Sequence, residues 1–93
     1  MEYLFIATKD DIQRIKEYIE NLKDKSNTEL VVAYNRQAKM GIIASPEQIR
    51  YLLALRYEFR KRFGESPVYV VNNRFVGMTG IIELVNNQIR IKD

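Results

Sequence analysis

The segment from Ser45 to Gly64 constrains this chain more than any other. Ser45 can cap a helix N-terminus, Pro46 suits its first position, and Gln48 is the capping-box partner three residues on. Gly64 is the residue type that most often ends a helix. Together they bracket a helix that runs to about Phe63. At about 100° per residue, Ile49, Leu52, Leu53, Phe59 and Phe63 share one of its faces. Arg56 falls in the middle of that face and Arg60 at its edge, so these cations either snorkel outward or meet a carboxylate. A chain of 93 residues supports one core, and the remaining elements must pack around this helix.

Those elements can be read in order. Residues 2–7, EYLFIA, form an unbroken apolar and aromatic run expected to be a buried strand. Thr8 opens a helix with Asp10 and Asp11 in its first turn, where carboxylates favour the positive end of the dipole. Ile12, Ile15, Tyr18, Ile19 and Leu22 then recur at helical spacing, and Lys25, Ser26 and Asn27 end the helix. Residues 29–34, ELVVAY, read as a second strand, followed by a loop around Gly41. After Ser66-Pro67, the runs VYVV and RFVG flank Asn72-Asn73 and predict a hairpin, because asparagine tolerates the positive φ of a tight turn. With a two-residue turn, Val68, Val70 and Phe75 would face the core, and Tyr69, Val71, Val76 and Met78 the other side. The tail admits two readings. A hairpin around Asn86-Asn87 sets Leu84 opposite Ile89, Ile82 opposite Ile91 and Glu83 opposite Arg90; a short helix would instead run from Thr79 to Asn86.

Composition excludes more than it suggests. The chain has no cysteine and no histidine. Thiol redox chemistry and disulfides are therefore ruled out, and zinc, haem and histidine-based acid–base catalysis are not expected. The adjacent carboxylates Asp10 and Asp11 are explained by the first helical turn, so no enzyme and no cofactor are expected. No apolar run approaches the roughly 20 residues that span a bilayer, and no signal peptide is visible, which gives a cytoplasmic expectation with no membrane contact. The net charge of +3 is uneven. Residues 1–33 carry five Lys/Arg and seven Asp/Glu, whereas residues 34–93 carry ten and five. A basic half suits an acidic partner or a phosphate backbone.

The run from Glu65 to Leu84, ESPVYVVNNRFVGMTGIIEL, resembles the C-terminal half of a glutaredoxin. Pro67 would precede a strand at Val68–Val71, Asn72-Asn73 would turn into Arg74–Val76, and Gly77 would lead to a helix from Thr79. The resemblance implies an α/β fold over residues 1–93, a single glutaredoxin-like domain. Its thioredoxin-like mixed sheet would carry packed helices in β-α-β-α-β-β-α order. The helical crossover between the first two expected strands sets residues 2–7 parallel to 30–34, and the resemblance implies that Ser66-Pro67 is cis. The alternative is α+β with a C-terminal antiparallel meander. The family's active site would fall on Ala7-Thr8-Lys9-Asp10-Asp11, where there is no thiol and the carboxylates oppose a thiolate. The second glycine of the family's pair is Met78 here and its carboxylate position is Gly80. Only the Thr79 hydroxyl and the backbone beside Pro67 would remain for glutathione, so binding is expected to be weak or absent.

The resulting expectation is a redox-inactive thioredoxin-fold binding module for a protein partner or a second copy. Its groove would be formed by Ser66, Pro67, Tyr69, Met78 and Thr79. The alternative is a nucleic-acid-binding module using a basic patch of Arg56, Arg60, Lys61 and Arg62 beside Tyr57. A minimal ribonuclease would need Arg, Lys, Glu and Tyr to converge in one concave site.

Overall fold

The structure, a computed structural model, describes the backbone of residues 2–4 and the whole of residues 8–92. The elements are β1 (Glu2–Leu4), α1 (Lys9–Leu22), α2 (Asn27–Met40), α3 (Pro46–Phe63), β2 (Val68–Val71), β3 (Phe75–Met78), β4 (Ile82–Val85) and β5 (Gln88–Ile91). Among the described residues the protein is thus mixed α/β, with three helices and two small antiparallel sheets, ordered β1-β3-β2 and β4-β5. Residues 5–7 of the expected first strand lie outside the described residues.

Each helix starts on a side-chain cap. The Thr8 hydroxyl accepts from the Asp11 amide while Asp11 accepts from the Thr8 amide, a reciprocal box. Ser45 opens α3 by accepting from the Gln48 amide at 3.2 Å. Gln48 does not close the expected box, however. Its side chain reaches one residue further back, accepting from the Ala44 amide at 2.8 Å and donating to the Ile42 carbonyl at 3.0 Å, which pins the α2–α3 loop. Gly64 ends α3 at φ 78°.

The expected strand at residues 29–34 is instead the start of α2. Ser26 and Glu29 form a second reciprocal capping box there. Leu30, Val31, Tyr34 and Ala38 then pack one stripe on the core at helical spacing, which overrides the strand preference of Val31-Val32. No β-α-β crossover exists among the described residues, so residues 2–4 do not pair with residues 30–34; β1 pairs antiparallel with β3. The Ser66–Pro67 bond is trans. The order expected from the glutaredoxin resemblance is therefore replaced by β-α-α-α-β-β-β-β.

Both Asn-Asn hairpins form, with φ of 53° and 56° at Asn72 and Asn73 and 52° and 61° at Asn86 and Asn87. The tail adopts the register expected for its hairpin, Ile82 opposite Ile91, Glu83 opposite Arg90 and Leu84 opposite Ile89, and the helix from Thr79 is absent. The first hairpin is different. Val71 pairs with Phe75 rather than Arg74, leaving an extra residue in the connection. That one-residue shift turns every β3 side chain to the opposite face. Val76 and Met78 share the face of Val68 and Val70, so Val76 is core and Phe75 is only partly buried, the reverse of expectation.

α1 and α3 run in the same direction. Asp11 near the start of α1 meets Arg50 near the start of α3 at 2.6 Å, and Leu22 at the end of α1 meets Arg62 at the end of α3. α2 links them by returning the opposite way. Tyr34 and Phe59 pack edge to face in the core, with ring centres 5.9 Å apart. Two side chains tie α2 to the second sheet. The Tyr34 hydroxyl donates to the Gly80 carbonyl at 2.8 Å, and the Asn35 amide exchanges two hydrogen bonds with the Ile82 backbone at 2.9 and 3.0 Å.

Candidate functional site

The five residues expected to form the partner groove do not meet in one place. Ser66, Pro67 and Thr79 line a shallow cleft of about 190 Å³ against Ile82, Ile89 and Ile91 of the second hairpin. Met78 and Thr79 line a different hollow of about 240 Å³, with Ala38, Gly41, Ile43 and Gly80. Tyr69 lies on the opposite face of the first sheet from Met78, its ring stacked over Gly77. The Met78 side chain packs against the core. The backbone beside Pro67, which the resemblance assigns to glutathione, is already engaged. The Pro67 carbonyl accepts from the Thr79 amide at 3.0 Å, and the Val68 amide donates to the Ser66 hydroxyl at 3.0 Å.

The basic patch divides. Arg62 turns inward, only 17% exposed, and donates to Glu58, to Asn27 and to the carbonyls of Leu22 and Lys23. It fastens α1 and α2 to α3 and presents no charge to a ligand. Arg56, Arg60 and Lys61 stay together on the other side of α3. With Tyr57 and Gly64 they line a groove of about 580 Å³ whose opposite wall is Ile15 and Ile19 of α1, with Leu53 between. A second hollow of about 540 Å³ continues it along α1, past Ile12, Lys16 and Glu20, and shares Ile15, Ile19 and Tyr57. The result is one trough between two parallel helices, apolar on its floor and cationic from its middle to its C-terminal end.

Helical geometry explains how the trough arises. On α3, Arg50, Ala54 and Glu58 follow at four-residue spacing and form the stripe turned toward α1. Ala54 and Glu58 are buried there, and Ala54 is small. Leu52, Leu55 and Phe59 face the core, which leaves Leu53, Tyr57 and Arg60 on a shoulder beside α1. α1 has more apolar surface than this contact covers. Ile15 and Ile19 are half-buried, while Ile12 is 47% exposed and Tyr57 52%.

The electrostatics of the trough are unbalanced. Among the described residues, Arg14, Lys23, Arg50, Arg62 and Arg90 form ion pairs, but Arg56, Arg60 and Lys61 form none. Partial burial, and then the positive charge of Arg60, push the Arg56 guanidinium below its usual pKa. An anion seated between Arg56 and Arg60 would relieve that repulsion. Among the described residues no group of carboxylates is placed to hold a metal ion, and no helix is long and apolar enough to cross a membrane.

Sequence reasoning finds the cations of this site but assigns its floor to the core. The helical recurrence of Ile12, Ile15 and Ile19 reads as a core-facing stripe, and the structure leaves them along the trough. The signal that locates it is Arg56 within the apolar arc of α3, since an unpaired cation there marks where the arc leaves the core. No family model matches the chain, and no characterised protein or solved structure shows a significant match to it.

Proposed function

We propose that this protein is a non-catalytic binding module whose α1–α3 trough receives an acidic, apolar-faced segment of another protein. The observation that carries this reading is the set of three unpaired cations, Arg56, Arg60 and Lys61, beside a floor of exposed and half-exposed isoleucines. The cations offer charge complementarity to a carboxylate-bearing partner and the isoleucines offer area to bury, at about 25 cal/mol per Å² of apolar surface. Nucleic acid is the poorer fit. Aliphatic side chains do not stack on bases, and Tyr57 is the one ring at the trough among the described residues. Without cysteine the module carries out no thiol–disulfide exchange.

Fluorescence anisotropy tests the reading directly. A labelled amphipathic peptide with leucines on one face and glutamates on the flanks should bind the wild-type protein. The Arg56→Glu/Arg60→Glu double variant should bind it at least tenfold more weakly, and so should Ile12→Ser/Tyr57→Ser. Single-stranded RNA binding more tightly than the peptide, with a steep salt dependence, would overturn the reading in favour of nucleic acid. Sedimentation showing a stable dimer that buries Ile12 and Tyr57 would overturn it in favour of self-association.

A further inference from the structure

From the direction of the two helices we infer that the partner segment is itself an α-helix, seated antiparallel to α1 and α3 with its N-terminal turn at Lys61. The inference rests on the binding reading of the trough. α1 and α3 run the same way, so their ends define one polarity for the trough: Ile12 at the start, Arg60, Lys61 and Gly64 at the finish. Of the cations that line it, none stands at the start, Lys16 and Arg56 stand midway, and Arg60 and Lys61 stand at the finish.

A ligand must therefore bring its carboxylates to that end and its apolar residues along the rest. Carboxylates are most favourable in the first turn of a helix, where they meet the positive end of the dipole and the free amides. A helix with an acidic first turn satisfies its own N-terminus and Arg60 and Lys61 at once only when it enters from the C-terminal ends of α1 and α3. The opposite orientation sets that acidic turn beside Ile12, where Lys16 alone is near and Arg60 and Lys61 are at the far end. Dipoles add to this, since a third helix lying between two parallel ones is favoured when antiparallel to both. α2 already runs antiparallel to both, from Asn27 beside Arg62 back toward the start of α3. Spacing agrees as well, because Ile12, Ile15 and Ile19 present a ridge with gaps of three and four residues, suited to apolar knobs at helical spacing.

Two 18-residue peptides, acetylated and amidated, distinguish the orientations. Both carry leucines at helical spacing and a lactam staple that equalises helicity; one has glutamates in its first two turns and the other in its last two. The first should bind about tenfold more tightly. A spin label at its N-terminus should broaden the amide signals of Lys61 and Gly64, and one at its C-terminus those of Ile12 and Gln13. Equal affinities, or labels that broaden the opposite ends, would overturn the orientation while leaving the trough as the docking site. Failure of both peptides to bind would overturn the binding reading itself.

Discussion

Arg62, in the last turn of α3, donates to the carbonyl of Leu22, the last residue of α1, at 3.2 Å. That guanidinium also meets Glu58, which is only 2% exposed, and satisfies the Lys23 carbonyl and the Asn27 side chain. Arg60, two residues earlier, faces the trough with no ion pair among the described residues. Arg62→Met should destabilise the protein by about 3–5 kcal/mol, because Glu58 would keep a buried charge without a counter-ion. Arg60→Met should change stability by less than about 0.5 kcal/mol. Urea unfolding of the two variants checks the division of the basic cluster; equal losses would contradict it.

Gly77 sits opposite Tyr69 in the first sheet, and a Cβ at Gly77 would clash with the hydroxyl end of the Tyr69 ring, at Cζ and Oη. Gly77→Ala should therefore cost about 1–3 kcal/mol through overpacking. Much of that should return in the Tyr69→Leu background, where the smaller side chain makes room. A thermal melt of the single and double variants reads the coupling, and purely additive losses would show that the two residues do not meet.

Met78 packs against the core because the first hairpin pairs Val68 with Met78 and Val70 with Val76. Met78→Asp should cost more than about 2 kcal/mol, since it places a carboxylate against apolar surface. If circular dichroism shows a melt unchanged from wild type, Met78 is a surface residue and does not pair with Val68.

Asp11 anchors the start of α1. Hydrogen bonds from Thr8, and then the Arg50 guanidinium, hold its carboxyl below the usual carboxylate range. The unfolded chain, with an aspartate pKa of about 3.9, takes up the proton before the folded one does. Stability from this contact is therefore complete above about pH 4 and is lost as the pH falls further, through the folded value. Asp11→Asn should lower the melting temperature at pH 7 and flatten its decline on the acid side. A wild-type-like acid decline in the variant would show that other carboxylates account for it.

Much of the fold is legible in local signals. Ser45-Pro46 and Gly64 mark α3, Thr8 marks α1, and the paired asparagines mark both hairpins, because each feature acts through backbone geometry within a few residues. The departure at α2 has a physical cause. Val31-Val32 and Tyr34 are strand formers by local preference, and the Ser26/Glu29 capping box together with the burial of Leu30, Val31 and Tyr34 in the core makes them helical. The turn before Phe75 is invisible for a related reason. Asn72-Asn73 fixes the turn conformation, but not whether Arg74 or Phe75 pairs with Val71, and the buried face decides. The candidate site is half legible. Its cations stand in sequence at Arg56, Arg60 and Lys61, whereas its floor depends on how little of α1 the contact with α3 covers.

If the α1–α3 trough, and not the cleft beside Pro67, is the docking surface, amide chemical shifts will show it most directly. The measurement is a titration of the ¹⁵N-labelled protein with the glutamate-flanked leucine peptide. Saturable shifts are predicted at Ile12, Ile15, Ile19, Leu53 and Tyr57, with Arg56 midway and Arg60 and Lys61 at one end of the same surface. Shifts confined to Ser66, Thr79 and Ile89, around the other cleft, would contradict it.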